Sequence, residues 1–522
     1  MPKISPLTHK LIKEISRAKK DGSAKKEEPS SKRGFLFTAR QKLIKNLPWR
    51  EKHYLRRKVI KKALRQKYYK DKKIRDRISF EFTREVVGDI LSYGHFERTA
   101  ATDQELEKIQ KTLEDHATLI KKIPERISKE KGLQNWILSI ISCEIEEVLS
   151  PSIKERMLIF YMFNSLKNEL APGESEEKKE VLLHTAVQRA LFGLDGVTIG
   201  YHMMRSKYSE IEDPEKRVEK ISENPYKERQ AVSRIFKEKY FQFFYRYCKS
   251  RRTPFLIIGD LVNENPGEIK ETLQDPQETE EAIKKIYQRK KKKKGKELHR
   301  SMIHYVLLLF VLRILLLLVI EYPLFKFSAM ELTFQNTVIG TLTPPLIVLL
   351  VVLTLPPTPK KSEKKAILEV MNIIYKKERN QKSLSKKGKE RAILFIDLLY
   401  GISFLMLAGA IIWSLFHIGI PLLSSLILIL FLSLSAIFSL DIREKNRDLA
   451  MTKKKGGPFF LVLEILGFPL MCLRKWLTIR EEEQNSLSLF SNIIITLPTG
   501  TISEIGREWK EQLKEKKERI YE

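Results

Sequence analysis

The sequence predicts an all-α membrane protein: a soluble basic helical N-terminal domain, then a four-helix transmembrane region and a C-terminal interfacial and amphipathic region. Two observations carry this prediction. Four apolar runs lie in the second half of the 522-residue chain, and each is near the roughly 20 residues that a helix needs to cross a bilayer. The residues before them are polar and basic, with apolar positions three and four apart, which is typical of amphipathic helices.

The four apolar runs are the strongest signal in the chain. We predict transmembrane helices at Met302–Ile320, Val338–Leu355, Ala392–Phe416 and Ile418–Leu440. Shorter apolar runs, of about 10 to 14 residues, are more typical of buried core helices. The second run contains Pro344-Pro345, which removes two backbone donors and must kink the helix.

Basic residues in the connecting segments predict the orientation of these helices. Lys and Arg crowd the segment before the first run, segment 356–391 and the segment after the fourth run, whereas Glu321–Thr337 has only Lys326. By the positive-inside rule the basic segments face the cytoplasm. We therefore predict a multi-pass protein of the cell inner membrane with a cytoplasmic N-terminus and C-terminus. Residues 1–26 lack an apolar signal-peptide segment, so the first run is expected to direct insertion.

Composition divides the chain before the membrane region. We predict a disordered basic tail at 1–34, because residues 16–33 are rich in Lys, Ser, Glu and Gly and lack aromatics. Residues 84–262 have helical spacing between Pro and Gly turn signals and are expected to form one cytoplasmic all-α domain. Residues 263–300 are expected to form an acidic linker and a polybasic juxtamembrane helix.

The segment 35–83 is predicted to be a basic aromatic helical segment. The first 80 residues carry 27 basic and 7 acidic side chains, a net charge of +20. Three interpretations are open: a helix on an anionic lipid surface, a helix that binds nucleic-acid phosphates, or a solvated helix without a ligand. The membrane anchor favours lipid, and the sequence has no zinc-finger, RNP-like or basic-zipper signature of nucleic-acid binding.

The region 441–522 is predicted to contain a cytoplasmic loop followed by an apolar stretch and a helix. The stretch Gly456–Leu473 is interrupted by Pro458, Glu464 and Pro469, so we expect it to be interfacial or re-entrant rather than a fifth crossing. Thr501–Tyr521 is expected to be an amphipathic helix.

A second basic group lies directly before the first apolar run. We predict that its five side chains bind anionic lipid headgroups, to which each contributes about 1 kcal/mol near the membrane surface. The same basic group is expected to fix the orientation of the first transmembrane helix. A protein that binds the head is a further possible partner. The members of the basic group are Lys290, Lys291, Lys292, Lys293 and Lys294.

Two charged residues lie inside the predicted crossings. Arg313 is near the middle of the first run, where an unpaired Arg costs roughly 2.5–3.5 kcal/mol on insertion scales. Asp397 lies inside the third run, nearer its cytoplasmic end. We predict an intramembrane ion pair between Arg313 and Asp397, with snorkelling of Arg313 to an interface as the alternative.

No sequence pattern indicates catalysis. His184 and His202 flank Asp195-Gly196, and Glu144 and Glu147 are spaced to share a helix face. Neither group has the ligand spacing of a metal site, and carboxylates at this spacing more often form a solvated face. The three cysteines are widely spaced, which fits a reducing cytosol. We therefore predict that the protein is not an enzyme and holds no cofactor.

Five short segments carry a further signal: His184–Leu191 (HTAVQRAL), Cys143–Glu147 (CEIEE), Thr343–Leu346 (TPPL), Asn492–Pro498 (NIIITLP) and Glu508–Lys510 (EWK). Together they resemble segments of a family of bacterial multi-pass membrane proteins of unknown function. The resemblance implies the multi-pass architecture and adds no activity.

The combined features predict a scaffold or recruitment protein at the inner membrane surface. The alternative is a subunit of a small transporter or channel in which Arg313, Asp397 and Glu464 line a path. One structural feature distinguishes the two functions. A path requires the intramembrane charges to face an aqueous cavity, whereas charges enclosed by a packed bundle favour a scaffold.

Overall fold

The computed structural model describes most of the chain up to residue 480. The described residues are largely helical and contain no strand, so the predicted all-α class is confirmed. The described ranges are 4–23, 49–69, 77–96, 100–123, 131–167, 176–208, 211, 213–238, 240–264, 267–327, 334–354, 360–375, 390–417, 421–447 and 458–480.

The first half of the chain forms a helical head. A π-helical turn, Arg65–Tyr69, extends its second helix. Side-chain oxygens of Ser79 and Asp195 cap two helix starts by accepting backbone N–H bonds. The helices are α1 (Pro6–Ser23), α2 (Trp49–Leu64), α3 (Phe80–Ser92), α4 (Asp103–Lys122), α5 (Lys131–Leu149), α6 (Ile153–Lys167), α7 (Glu176–Phe192), α8 (Gly196–Lys207), α9 (Pro214–Glu223), α10 (Pro225–Lys237), α11 (Phe241–Glu264) and α12 (Ile269–Thr272).

The second half contains the apolar helices. A π-helical turn, Leu317–Glu321, follows the first of them directly. The helices are α13 (Pro276–Leu316), α14 (Tyr322–Phe327), α15 (Phe334–Thr354), α16 (Lys360–Ile374), α17 (Glu390–His417), α18 (Leu422–Arg447) and α19 (Pro458–Arg480).

The head contains two large apolar cores. One core joins α6, α7 and α11 with α1, the start of α13 and α16. The other joins α2, α3, α4 and α5. The head therefore extends beyond the predicted 84–262 domain on both sides, because helices before and after that range supply part of its buried surface.

The predicted disordered tail is wrong for residues 6–23, which form α1. Leu11, Ile12 and Ile15 are buried in the first core, and Thr8 Oγ1 lies 2.7 Å from the Tyr161 hydroxyl. These apolar residues are three and four apart and lie on one face of the helix. Burial of that face stabilises α1 as an ordered helix, although the composition of the segment is basic. Residues 24–34 of the predicted tail lie outside the described residues.

Helix α2 packs its apolar face inside the head. Ile60 and Leu64 of α2 and Tyr68 of the π-helical turn are fully buried in the second core, whereas Lys58 is exposed, so the three interpretations of the basic face stay predictions. Several of its cations bond to neighbouring helices, as described below. Residues 35–48 and 70–76 of this segment lie outside the described residues.

The predicted linker is wrong, because residues 267–287 fold into the head. Ile269, Leu273 and Ile283 are buried in the first core. Helix α13 starts in this core and continues without a break into the first apolar run over 41 residues. At about 1.5 Å per residue its length is roughly 60 Å.

The segment between the second and third apolar runs also belongs to the head. Ala366, Val370 and Ile374 of α16 are buried in the first core. The Ser5 backbone N–H donates to the Ile374 carbonyl at 2.8 Å, and the Tyr375 hydroxyl donates to the Leu273 carbonyl at 2.9 Å. The chain therefore returns to the head between these two runs.

Three described helices are long and apolar enough to cross a membrane, not the four predicted. They are Pro276–Glu321, Leu398–His417 and Leu422–Arg443. The second predicted run lies in α15, whose described apolar part is only Gly340–Val351 and contains Pro344-Pro345. That part rises about 18 Å, less than the roughly 30 Å of a hydrocarbon core.

The apolar helices pack into a bundle with an apolar outer surface. Helices α13, α15 and α18 contact one another, and α19 packs along α17 and α18. Large apolar side chains such as Leu307, Val319, Leu405 and Met406 are more than half exposed. Surfaces of this kind are typical of helices surrounded by lipid.

Candidate functional sites

The first candidate site is an ion pair enclosed in the bundle. Arg313 Nη1 and Nη2 both contact the Glu321 carboxylate, with the Nη2 to Oε2 distance at 3.2 Å. Arg313 Nε donates to the Gly340 carbonyl at 3.1 Å. Each guanidinium nitrogen of Arg313 therefore has a partner. The Glu321 carboxylate was not predicted as that partner from the sequence.

The π-helical turn explains why Arg313 and Glu321 meet. Residues eight apart in an α-helix are rotated by about 80° from each other. The turn Leu317–Glu321 accommodates one extra residue, so the pair behaves like residues seven apart, which share a helix face. No signal in the sequence indicated a π-helical turn here.

Three helices close the site around this pair. Arg313 and Glu321 are each 1 % exposed. The Phe431 ring lies 5.8 Å from the guanidinium carbon, and Ser424 Oγ lies 3.5 Å from Glu321 Oε2. A methyl group at Gly340 would lie 2.8 Å from Arg313 Nη2, so the glycine leaves the space that the guanidinium fills.

The other intramembrane charges take different positions. Asp397 lies on α17, but its side chain lies outside the described residues, so its predicted pairing with Arg313 stays a prediction. Glu464 on α19 accepts from the Tyr400 hydroxyl at 3.3 Å and lies 3.4 Å from Arg443 Nη1. Glu464 therefore joins the ends of α17 and α18 that lie toward the basic segments.

The second candidate site is the polybasic part of α13. Lys290 Nζ lies 2.6 Å from Asp260, which also binds Lys154 Nζ at 2.8 Å. Burial raises the pKa of Asp260, but the charges of Lys290 and Lys154 outweigh it and lower the pKa below the ordinary value. Lys290 is therefore used within the head. Lys294 is half-buried, whereas three of the predicted lipid ligands are exposed: Lys291, Lys292 and Lys293.

Replacing Lys291, Lys292 and Lys293 together by Gln is expected to reduce the anionic lipid retained by the full chain. Each exposed Lys near the headgroups contributes about 1 kcal/mol, and salt should reduce retention further. Native mass spectrometry of protein released from mixed anionic and zwitterionic nanodiscs measures it. Lys290→Gln is the matched control, because its ammonium already binds Asp260. Equal retention in the triple variant would refute electrostatic docking.

A third site is a buried polar network between α2, α5 and α8. Arg57 Nη2 lies 2.7 Å from Asp195 Oδ2, and Arg57 Nη1 lies 3.6 Å from Cys143 Sγ. Asp195 Oδ1 accepts from the Thr198 backbone N–H at 3.1 Å. His53 contacts both Glu146 and Thr198 Oγ1. One carboxylate thus caps α8 and neutralises a buried Arg.

The pKa values in this network follow from burial and charge. Burial raises the pKa of Asp195, but Arg57 and the Thr198 hydrogen bonds outweigh it and hold the pKa well below its usual range. Burial raises the pKa of the Cys143 thiol to about 12. The Cys143 thiol therefore stays protonated at neutral pH, when a nucleophile or metal ligand would need the thiolate.

The two histidines singled out in the sequence do lie close together. The Gln188 side chain connects them, at 3.0 Å from His184 Nδ1 and 2.7 Å from His202 Nδ1. Burial lowers the pKa of His202 to about 4 and also lowers that of His184. Both imidazoles are therefore neutral at pH 7, as buried, hydrogen-bonded histidines are expected to be.

A fourth site is a wide cleft of about 760 Å³ between α4, α5, α8 and α9. The carboxylate of Glu147 binds the Tyr201 hydroxyl at 2.7 Å, Arg156 Nη1 at 2.6 Å and Arg205 Nη1. Burial raises the pKa of Glu147, but Tyr201 and the two Arg residues outweigh it and lower the pKa. The Glu147 carboxylate is therefore ionised and fixed in position at the cleft wall.

The carboxylates of α5 lie in two sites. Glu144 and Glu147, which are spaced to share a helix face, both line the cleft, where Glu144 Oε2 lies 2.9 Å from His116 Nε2. Glu146 instead joins the buried network through His53. Residues two apart point to opposite sides of a helix, which separates Glu146 from Glu144.

Among the residues that the structure describes, no group of three or more His, Cys, Asp or Glu side chains is arranged to hold a metal ion. Comparison of the chain with protein-family models, curated proteins and solved structures gives no match. The resemblance to bacterial multi-pass membrane proteins therefore stays a prediction. The sites themselves carry the argument for function.

Proposed function

We propose that the protein is a membrane-anchored scaffold that recruits a partner to its head at the cytoplasmic surface of the inner membrane. One observation carries the proposal: the intramembrane charges Arg313 and Glu321 are enclosed by α13, α15 and α18 and are each 1 % exposed. An aqueous path needs ionisable groups that reach water, whereas this pair is satisfied internally. The bundle therefore acts as an anchor, and the head carries the recruitment function.

The attachment of the head supports this function. Helix α13 runs unbroken from the head core into the bundle, and α16 returns to the same core. A head held by two helices keeps a fixed position at the membrane, which suits a docking platform. The cleft beside Glu147 is the binding surface in this proposal, because it combines Trp136, Tyr201 and Tyr208 with charged side chains at its rim.

We propose a four-pass topology, in which α15 completes the crossing despite its prolines. The docking of α16 in the head supports it, since the chain must come back after α13 leaves the head. A reporter fused after Phe325 is expected to be external, and reporters after Arg379 and Lys455 are expected to be internal. Paired phosphatase and fluorescent-protein fusions measure this. An internal signal at Phe325 would contradict the proposal.

Recruitment is tested by affinity capture of the tagged full chain from native membranes, with and without nuclease. A stoichiometric protein partner that survives nuclease and is lost with Lys108→Glu is expected, because Lys108 lines the cleft. Lys111→Glu on the same helix is the matched control, since Lys111 is exposed and lies outside the cleft. Equal capture of the partner by both variants would show that the cleft is not the binding surface. Loss of the partner after nuclease treatment would show that a nucleic acid mediates the binding.

A transporter or channel subunit is the second candidate. Ionisable residues inside a membrane are often functional, and Arg313, Asp397 and Glu464 are the groups that would line a path. Ion flux into proteoliposomes containing the purified chain distinguishes the two functions. Flux that is abolished by Glu464→Gln would favour the transporter, and flux equal to that of empty liposomes would favour the scaffold.

A further inference from the structure

A smaller pocket of about 320 Å³ shares Trp136 with the cleft described above, and its charged lining residues are cations. Lys61 and Arg229 are the charged residues among the described residues that line it. The other polar lining residues carry hydroxyl or amide groups: Asn135, Ser139, Tyr226, Gln230 and Ser233.

Lys61 is the central cation of this pocket. Its Nζ donates to Ser139 Oγ at 2.8 Å. Burial, together with the positive charges of Arg65 and Arg57, lowers the pKa of Lys61 to about 8 and outweighs the opposite effects of Cys143 and Asp195. An anion bound beside Lys61 would stabilise its charged form strongly, because the anion offsets both the repulsion from the neighbouring cations and the desolvation cost of burial.

The second cation is positioned by a close approach to a helix. A methyl group at Gly132 would lie 2.8 Å from Arg229 Nη1, so the glycine leaves room for the guanidinium against the start of α5. Three helices also begin at this pocket, since Gly132, Gly196 and Tyr226 lie in the first turns of α5, α8 and α10. Asp195 already caps α8, so the positive ends of α5 and α10 are the ones that add to the attraction for an anion.

We propose that the pocket around Lys61 and Arg229 binds a small phosphate-bearing molecule. A phosphate dianion matches two cations and several hydroxyl and amide donors better than a monoanionic carboxylate does. The pocket volume lies at the lower end of the range for small-ligand sites, which is about 300–1,000 Å³. Trp136 and Tyr226 provide ring surface for an organic part of the ligand.

The test uses the full chain in nanodiscs of zwitterionic lipid, with inorganic phosphate and adenosine monophosphate as probes. Saturable binding of both probes is expected by isothermal titration, whereas acetate and adenosine should bind at least tenfold more weakly. Lys61→Gln and Arg229→Gln are each expected to weaken phosphate binding about tenfold or more, because each removes a charged hydrogen-bond donor. Lys61→Arg should retain binding within a few fold.

Lys58→Gln is the matched control, because Lys58 is an exposed cation on the same helix. It should bind phosphate like the unaltered chain, and circular dichroism should show equal helix content in every variant. Arg229→Gln keeps the test decisive if Lys61→Gln does not fold. The proposal is overturned if neither probe saturates, if both Gln variants bind normally, or if binding occurs only in nanodiscs containing phosphatidic acid, which would identify a lipid headgroup.

Discussion

Replacing Glu321 by Gln is expected to destabilise the membrane bundle by about 3–5 kcal/mol, because it leaves the Arg313 guanidinium buried without a counter-charge. The variant Arg313→Leu with Glu321→Leu should recover much of that loss, since it removes both desolvation costs. Unfolding in mixed detergent micelles of increasing denaturing fraction measures the effect. The unaltered chain, Arg313→Leu, Glu321→Leu and the double Leu variant form a double-mutant cycle that isolates the interaction energy.

Two further variants sharpen this cycle. Glu464→Gln is the matched control, because Glu464 is also a carboxylate of the apolar helices near an Arg, but its side chain is 42 % exposed. Its substitution is expected to change the free energy of unfolding by less than about 1 kcal/mol. Asp397→Asn tests the pairing predicted from the sequence. Additive effects of the Arg313 and Glu321 substitutions would contradict the ion pair, and coupling of Arg313 to Asp397 instead would identify the other partner.

Replacing Asp195 by Ala is the second large expected effect, about 3–5 kcal/mol at pH 7, because Arg57 loses its buried partner and α8 loses its cap. The folded-state pKa of Asp195 lies below its unfolded value. The carboxylate therefore stabilises the head above the ordinary Asp pKa of about 4, and this contribution is lost as pH falls through the folded-state value.

The pH dependence distinguishes this role from a simple packing defect. The stability difference between the unaltered chain and Asp195→Ala should be constant from pH 8 to about 5 and should shrink at lower pH. Thermal unfolding of the full chain in detergent, followed by far-UV circular dichroism, measures it. Asp103→Asn is the control, since the Asp103 side chain is 77 % exposed. A difference that does not change with pH would show that the ion pair is not its source.

Three of the four apolar runs correspond to described helices that are long and apolar enough to cross a membrane, because composition alone identifies such helices. Long-range packing could not be predicted in the same way. Helix α1 has the composition of a disordered tail, and it is stabilised by burial of its apolar face in the first core and by the contact of Thr8 with Tyr161, more than 150 residues away. The cations of α2 indicated a helix exposed to lipid, nucleic acid or solvent. Their partners Asp195, Glu146 and Ser139 lie far along the sequence, so the sequence pattern does not show the pairing.

The candidate sites were less predictable than the fold. The cost of burying Arg313 correctly indicated that it needs a partner, but the rotation introduced by a π-helical turn has no sequence signature. Glu147 was singled out, whereas its fixed position depends on Arg156, Arg205 and Tyr201 from two other helices. The Lys61 pocket was missed because its lining comes from four separate helices.

The unbroken length of α13 has a mechanical consequence. A helix of 41 residues that begins inside the head and ends inside the bundle has no hinge at the water–lipid boundary. Any rotation of the head must therefore tilt the first membrane helix, and a 60 Å lever tilted by about 20° moves its far end by roughly 20 Å. Because tilt is how a membrane helix adjusts to bilayer thickness, the proposed membrane anchoring implies that the thickness of the surrounding lipid sets the angle of the head.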